Sequence, residues 1–162
     1  MVLIPLRGRV AAGRAAIVDD DVADEWLKYR WHCLRIGYAQ RMNGSSAVYM
    51  HREVLSLHGI EIPKGYETGH INGNRLDNRL SNLRVVTNEQ NHHNSKPRRG
   101  CASRYKGVSW NKHAGKWIAY IKYKGKHIHE VEAGQAYDTA ARRLFGEYAK
   151  CNFPIEKEMN NV

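Results

Sequence analysis

YETGHINGNRLDNRLSNLRVVTNEQNHHN, residues 66–94, is the stretch on which the reading of this chain turns. Thr68 to Ile71 reads as a short strand. Asn72-Gly73 then marks a tight turn, because both residues tolerate left-handed backbone. Leu76, Leu80, Leu83 and Val85 are spaced as the apolar anchors of a small loop and a return strand. Thr87 stands as an N-cap, with Glu89 and Gln90 in the first turn of a helix that reaches about Asn94. This strand–loop–strand–helix unit is too small to bury a core alone, so it needs its N-terminal neighbour or a ligand to hold it.

Its polar residues have a chemistry. His70 lies on the first strand, Asn82 sits in the loop and Asn91 on the helix. A neutral histidine can take a proton near pH 7, and magnesium prefers few protein ligands and keeps several waters. Hydrolysis of a phosphodiester asks for both, a base for the attacking water and a cation for the developing charge.

The segment resembles the HNH nuclease motif of the phage and intron-encoded branch. Asn72, Gly73, Asn78, Arg79, Leu80, Asn82 and Leu83 match the form HINGN-x-x-x-NRL-x-NL. The resemblance implies that His70 is the general base. It implies that the Asn82 side chain ties the loop to the strand backbone and aims that base. It also implies one Mg2+ or Mn2+ per active site, held by Asn91 and by the residue before His70. That residue is Gly69, where the family normally has an Asp or His. Glu67 is two strand residues away, roughly 6.6 Å at about 3.3 Å per residue, and Asp77 lies in the loop; neither is a ready substitute. His92 and His93 read as helix-surface residues or backbone-phosphate contacts.

The composition agrees with a polyanion partner. The chain has 162 residues and a formal net charge of +10, from 26 Lys and Arg against 16 Asp and Glu. From Arg79 to Lys126 there are twelve Lys and Arg and one acid, Glu89. Such concentration suits phosphate contacts better than a uniformly solvated surface. The three cysteines, Cys33, Cys101 and Cys151, form no CxxC pair, so a zinc ribbon or secreted disulfide framework is not expected. The start is interrupted by Arg7, Arg9 and Arg14 and makes a poor signal peptide, and no apolar run is long enough to span a membrane. The expectation is a cytoplasmic protein, in a bacterial host if the resemblance to phage and intron-encoded proteins holds, with no membrane or protein partner evident.

Residues 1–60 read as a strand-rich region that packs on the nuclease unit at 61–95. VLIPL and AAIV are its first strands. Asp19 to Asp21 supply N-cap chemistry for a helix from Val22 to Tyr29. A strand pair is broken by Gly37, a hairpin turns at Asn43-Gly44 and returns along Val48 to Met50, and a helix runs from His51 to His58 with Val54, Leu55 and His58 on one face. Arg35, Arg41 and Arg52 are candidate DNA contacts. His51 reads as structural. Residues 96–102 form a basic linker, in which Lys96, Arg98 and Arg99 are placed to follow a DNA backbone.

Past the linker the pattern changes. Tyr105 to Trp110, Lys116 to Tyr123 and Lys126 to His129 read as three antiparallel strands, followed by a helix from Ala133 to Phe145. RYKGVSW, GKWIAYI and AYDTAARRLFGEYAKCNFP make residues 103–154 resemble the plant APETALA/ERF-type DNA-binding domain, leaving 155–162 as a tail. The resemblance implies a three-stranded sheet facing the major groove, backed by one helix. Alternation would pack Trp117, Ala119 and Ile121 on that helix and turn Tyr120 and Lys122 toward DNA. Arg104, Lys106, Ser109, Asn111, Lys116 and His127 fall near the other contact positions. Ser109 replaces an Arg of the plant domain, and the third strand is shortened.

Taken together, the sequence predicts an α+β protein: a ββα-metal nuclease unit, an N-terminal strand-rich region and a C-terminal three-stranded sheet plus helix. The expected function is metal-dependent cleavage of double-stranded DNA in the manner of a homing endonuclease. A monomer would nick and a homodimer could cut both strands. The rival is a DNA-binding protein or regulator silenced by Gly69, and a third reading is an RNA-directed protein.

Overall fold

The structure, a computed structural model, describes residues 1–95, 100–123, 126–130 and 135–153. It divides into two compact units, one ending at Asn88 and the other beginning at Glu89. No helix among the described residues is long and apolar enough to cross a membrane.

The first unit begins with an antiparallel hairpin of β1 (Val2–Pro5) and β2 (Ala15–Val18), with Leu3 opposite Ile17. Alternation buries Ile4, Ala16 and Val18 and leaves Leu3 in solvent. Helix α1 spans Asp20–Trp26 and buries Val22, Ala23 and Trp26. It starts before the predicted Val22 and stops short of Tyr29. Asp19 is its N-cap by position, yet its side chain caps nothing there. Its carboxylate instead accepts the backbone N–H of Leu80 at 2.7 Å, a tertiary bond that tethers the site loop.

A second sheet has the order β3 (His32–Cys33), β4 (Ala39–Asn43), β5 (Ser46–Tyr49). Gly44, at φ +59°, makes the turn between Asn43 and its partner Ser46. The return strand stops at Tyr49, because Met50 already opens α2 (Met50–Leu57) and is fully buried. Strands β6 (Tyr66–His70) and β7 (Leu83–Thr87) form a third, two-stranded sheet. Ile4, Trp26, Trp31, Met50, Val54, Leu55 and Leu83 belong to one core, against which Leu76, Leu80 and Val85 pack. The boundary expected at residue 60 therefore falls inside a single hydrophobic core. The Ile17 backbone strengthens the join: it donates to Leu76 O at 2.7 Å and accepts from Asn78 N at 2.8 Å.

Helix α3 (Asn88–His93) begins directly after β7, runs into the second unit and has no buried residue. That unit has the sheet β10 (Lys126–Glu130), β9 (Lys116–Tyr123), β8 (Val108–Asn111), covered by α4 (Gln135–Phe145). Val108, Ala119, Ile121, Tyr137, Ala140, Ala141 and Phe145 are its core. The first strand is shorter than predicted. Tyr105 N is held by Ser103 Oγ and Lys106 N by Asn152 Oδ1, and Gly107 takes φ +71°, so extended backbone begins only at Val108. A Cβ on Gly107 would lie 2.2 Å from the Tyr137 ring and 2.8 Å from Tyr120 O, so glycine is required by space as well as by conformation. Buried Asp138 accepts the backbone N–H groups of Asn152 and Phe153, both at 2.7 Å, and pins the chain after the helix. Lys124 and Gly125, and the tail from residue 154, lie outside the described residues.

Candidate active site around His70

His70 is the last residue of β6, opposite Leu83, and is 5% exposed. The chain turns at once: Gly73 N donates to His70 O at 3.0 Å, and Gly73 takes φ +71°. The loop is built from asparagine side chains that stand in for backbone partners. Asn72 Oδ1 accepts from Asn74 N at 2.8 Å, and Asn74 Oδ1 from Leu76 N at 3.2 Å. Buried Asn82 clamps the two ends, accepting from Asn72 N at 3.0 Å and donating to Asp77 O at 2.7 Å. Fully buried Asn78 sets its Oδ1 3.4 Å from His70 Nε2.

Burial lowers the His70 pKa from its ordinary value, opposed by the Asn78 hydrogen bond and by the charge of Asp77. Neutral imidazole is thus the form favoured at neutral pH, as a proton acceptor requires.

A second histidine shares this environment. His51, on α2, is 7% exposed, and its ring centroid lies 5.5 Å from that of His70 and 4.8 Å from that of Tyr38. Its Nδ1 is buried with no hydrogen-bond partner among the described residues. Desolvation first, and then the neighbouring His70, push its pKa down to about 3. The Arg75 guanidinium lies over the Tyr38 ring, 4.8 Å from its centroid. Sequence reasoning left His51 out of the site. Helical spacing was the available signal, since His51 precedes buried Val54 and Leu55 by three and four residues.

Position 69 is a buried glycine in β6, opposite Arg84, and it is not among the glycines with positive φ. Its φ is therefore not one that requires glycine. Strand alternation puts position 69 on the same face as Glu67, whose carboxylate accepts from Asn88 Nδ2, at the start of α3, at 3.2 Å. Asp77 is 2% exposed and fully engaged, accepting from Arg79 at 2.8 and 2.7 Å and from Asn72 Nδ2 at 2.8 Å. Above all the Arg79 guanidinium holds the Asp77 carboxyl below the usual carboxylate range. Both acids near Gly69 therefore have partners already. Among the described residues no group of three or more His, Cys, Asp and Glu could hold a metal ion.

The expected DNA contacts divide. Arg79 is occupied by Asp77 rather than free to meet a phosphate. Arg41 forms a largely buried pair with Glu53 and lies 4.1 Å from the Tyr29 ring centroid, so it serves the fold. Lys106 also departs from expectation. Its Nζ donates to the carbonyls of His93 at 2.6 Å and His92 at 3.3 Å, and burial lowers its pKa to about 8. Asn111 Oδ1 accepts from His113 N and Ala114 N, both at 3.0 Å, and caps its own turn. Trp117, expected in the core under α4, is 40% exposed and outside that core. Arg104, Ser109, Lys116, Tyr120 and Lys122 do face solvent, and Asn91 is half-buried on α3. Lys96, Arg98, Arg99 and the side chain of His127 lie outside the described residues.

Comparison with known proteins gives the family. The HNH endonuclease family matches residues 48–93, a span that includes His51 as well as His70. Protein 3.8 of Escherichia phage T7 is 32% identical over 106 residues, 62% of this chain and 87% of the phage protein. The protein called Uncharacterized HNH endonuclease L560, from Acanthamoeba polyphaga mimivirus, is 30% identical over 145 residues, 80% of this chain and 71% of its own. YosQ of the SPbeta prophage of Bacillus subtilis (strain 168) is 39% identical over 56 residues, 35% of this chain and 32% of its own. No solved structure matches.

Proposed function

From the membership of this chain in the HNH endonuclease family, we propose that it is a DNA-directed protein built on a ββα-metal nuclease scaffold, with His70 as the general base and a donor missing at position 69. The observation that carries the proposal is the buried, neutral-leaning His70 at the end of β6, held beside a loop that Asn82 clamps at both ends. His70 would take the proton of an attacking water at its imidazole. Asn82 would act through the loop, as a positioning residue.

The donor set does not fit a complete site for magnesium or manganese. The family pattern has an Asp or His at residue 69, and glycine supplies no side-chain donor atom. Glu67 and Asp77 are hydrogen-bonded elsewhere. The other residue of the expected set is Asn91, on α3. One neutral amide is a weak holder for a hard divalent cation. The chain as given therefore binds DNA and cuts it poorly or not at all. This keeps the second reading, a DNA-binding regulator derived from a nuclease, in direct competition with a working homing-type enzyme. The APETALA/ERF-type resemblance of the second unit supports sequence-directed binding in both.

A duplex selected by binding separates them. Nicking would be measured in magnesium and in manganese for the chain as given, for Gly69→Asp, and for Gly69→Asp with His70→Ala. The expected outcome is cutting by Gly69→Asp alone. A folded, DNA-binding Gly69→Asp protein that leaves the selected duplex intact in both metals would overturn the proposed site. Cutting by the unaltered chain would show that position 69 needs no acid.

A further inference from the structure

Two of the four tryptophans, Trp26 and Trp31, are core residues at 1% and 0% exposure. The other two are not. Trp110 is 46% exposed and Trp117 40%. They are directly opposite one another in the β8–β9 register, with ring centroids 5.4 Å apart and planes at 69°. Alternation puts Trp117 on the strand face of Ala119 and Ile121, which α4 covers, yet neither indole belongs to that core. The two indoles thus form a half-exposed aromatic shelf at the turn end of the hairpin. An edge-on pair fills one side of each ring and leaves other ring surface open to a planar ligand.

Lys112 and His113, in the turn between the two strands, and Lys116, at the start of β9, are exposed. No Asp or Glu occurs anywhere from residue 90 to residue 129. Large exposed indoles flanked in the chain by lysines suit a ligand that is planar and apolar in one part and anionic in another. Nucleobases on a phosphate backbone have that chemistry. In a duplex their faces are already stacked on one another; in a single strand they are free to stack on protein rings, with little dependence on base identity.

We propose that the Trp110–Trp117 pair is a stacking site for unpaired bases of single-stranded DNA. The site is separate from His70 and does not rest on any cleavage by this chain. It gives the second unit a ligand that groove contacts to a duplex do not provide, such as a displaced or frayed strand.

The test uses the full chain in EDTA at fixed salt. Indole fluorescence and affinity would be measured with an oligothymidylate, an abasic sugar–phosphate strand of equal length, and a duplex of equal length. Trp26 and Trp31 are buried, so quenching by a bound base reports the exposed pair. The proposal expects the oligothymidylate to quench and to bind about tenfold or more tightly than the abasic strand. It expects the W110A/W117A variant to lose that difference while keeping its affinity for the abasic strand, and W110F/W117F to keep most of the difference. Equal binding of the two strands without quenching would reduce the shelf to part of a basic surface and overturn the proposal. Equal quenching by the duplex would overturn the preference for unpaired bases. If the alanine variant does not fold, photocrosslinking of the unaltered chain to a bromodeoxyuridine strand decides: adducts at Trp110 or Trp117 support the site, and adducts only elsewhere overturn it.

Discussion

His51 stands against His70 with its Nδ1 buried and unpartnered among the described residues, and the two imidazoles share a wall of Tyr38. A buried histidine held neutral makes folding depend on pH. Its folded pKa is about 3 against an ordinary 6.5. Above 6.5 both folded and unfolded states are neutral and the group has no effect. Below it the unfolded chain takes the proton first, so stability falls with pH from 6.5 down to about 3. Between pH 6.5 and 5 this amounts to about 2 kcal/mol. His51→Phe, which keeps a ring in the site, is expected to remove most of that slope in urea unfolding measured across the range; an unchanged slope would assign the acid sensitivity to other groups. Asn82 gives a second prediction. Asn82→Ala removes an acceptor from Asn72 N and a donor from Asp77 O. A loss of about 1–3 kcal/mol is expected for the groups left without partners. The Gly69→Asp,Asn82→Ala protein should also cut more slowly than Gly69→Asp, with kcat lowered more than KM is raised, as befits a residue that aims the base.

Elements follow local pattern wherever the pattern has no competitor. The Asn43-Gly44 and Asn72-Gly73 turns, β9 and the Ala-rich α4 are where spacing and turn chemistry put them, while β6 begins two residues before the expected Thr68 and ends at His70. Differences arise where a side chain or a neighbour has a better use for the backbone. The strand expected from Tyr105 is delayed to Val108 because Ser103 and Asn152 hold the preceding N–H groups and Gly107 turns the chain. Gly107→Ala is therefore expected to be among the most disruptive small substitutions in the second unit. Left-handed strain adds to a contact with Tyr137 and the Tyr120 carbonyl that nothing nearby can relieve cheaply. The loss should exceed about 1 kcal/mol, and hydrogen exchange should show it in β8, β9 and α4 while the core around Trp31 stays protected. Equal loss of protection in both units would instead mean that they unfold together.

Across the whole molecule, charge marks the second unit and burial the first. Lys116 and Lys122 are exposed cations there, whereas Arg79, Arg41 and Lys106 have partners within the protein. Lys116→Ala and Lys122→Ala are each expected to lower the salt slope of duplex binding by about one. Arg79→Ala should leave the slope unchanged and lower stability, since it frees the buried Asp77 carboxylate. The sequence by itself determined the family motif, the order of strands and turns, the basic second half and the glycine at residue 69, because periodicity, turn pairs and charge are local properties that a chain carries in any conformation. Only the tertiary structure decided that His51 faces His70, that Asp19 holds Leu80 instead of capping α1, that Lys106 serves the end of α3, and that Trp117 lies outside the core. Each of these joins residues far apart in sequence or depends on where one element ends against another. Such pairings are selected by competition for burial and for hydrogen-bond partners in the packed molecule, and spacing along the chain does not encode that competition.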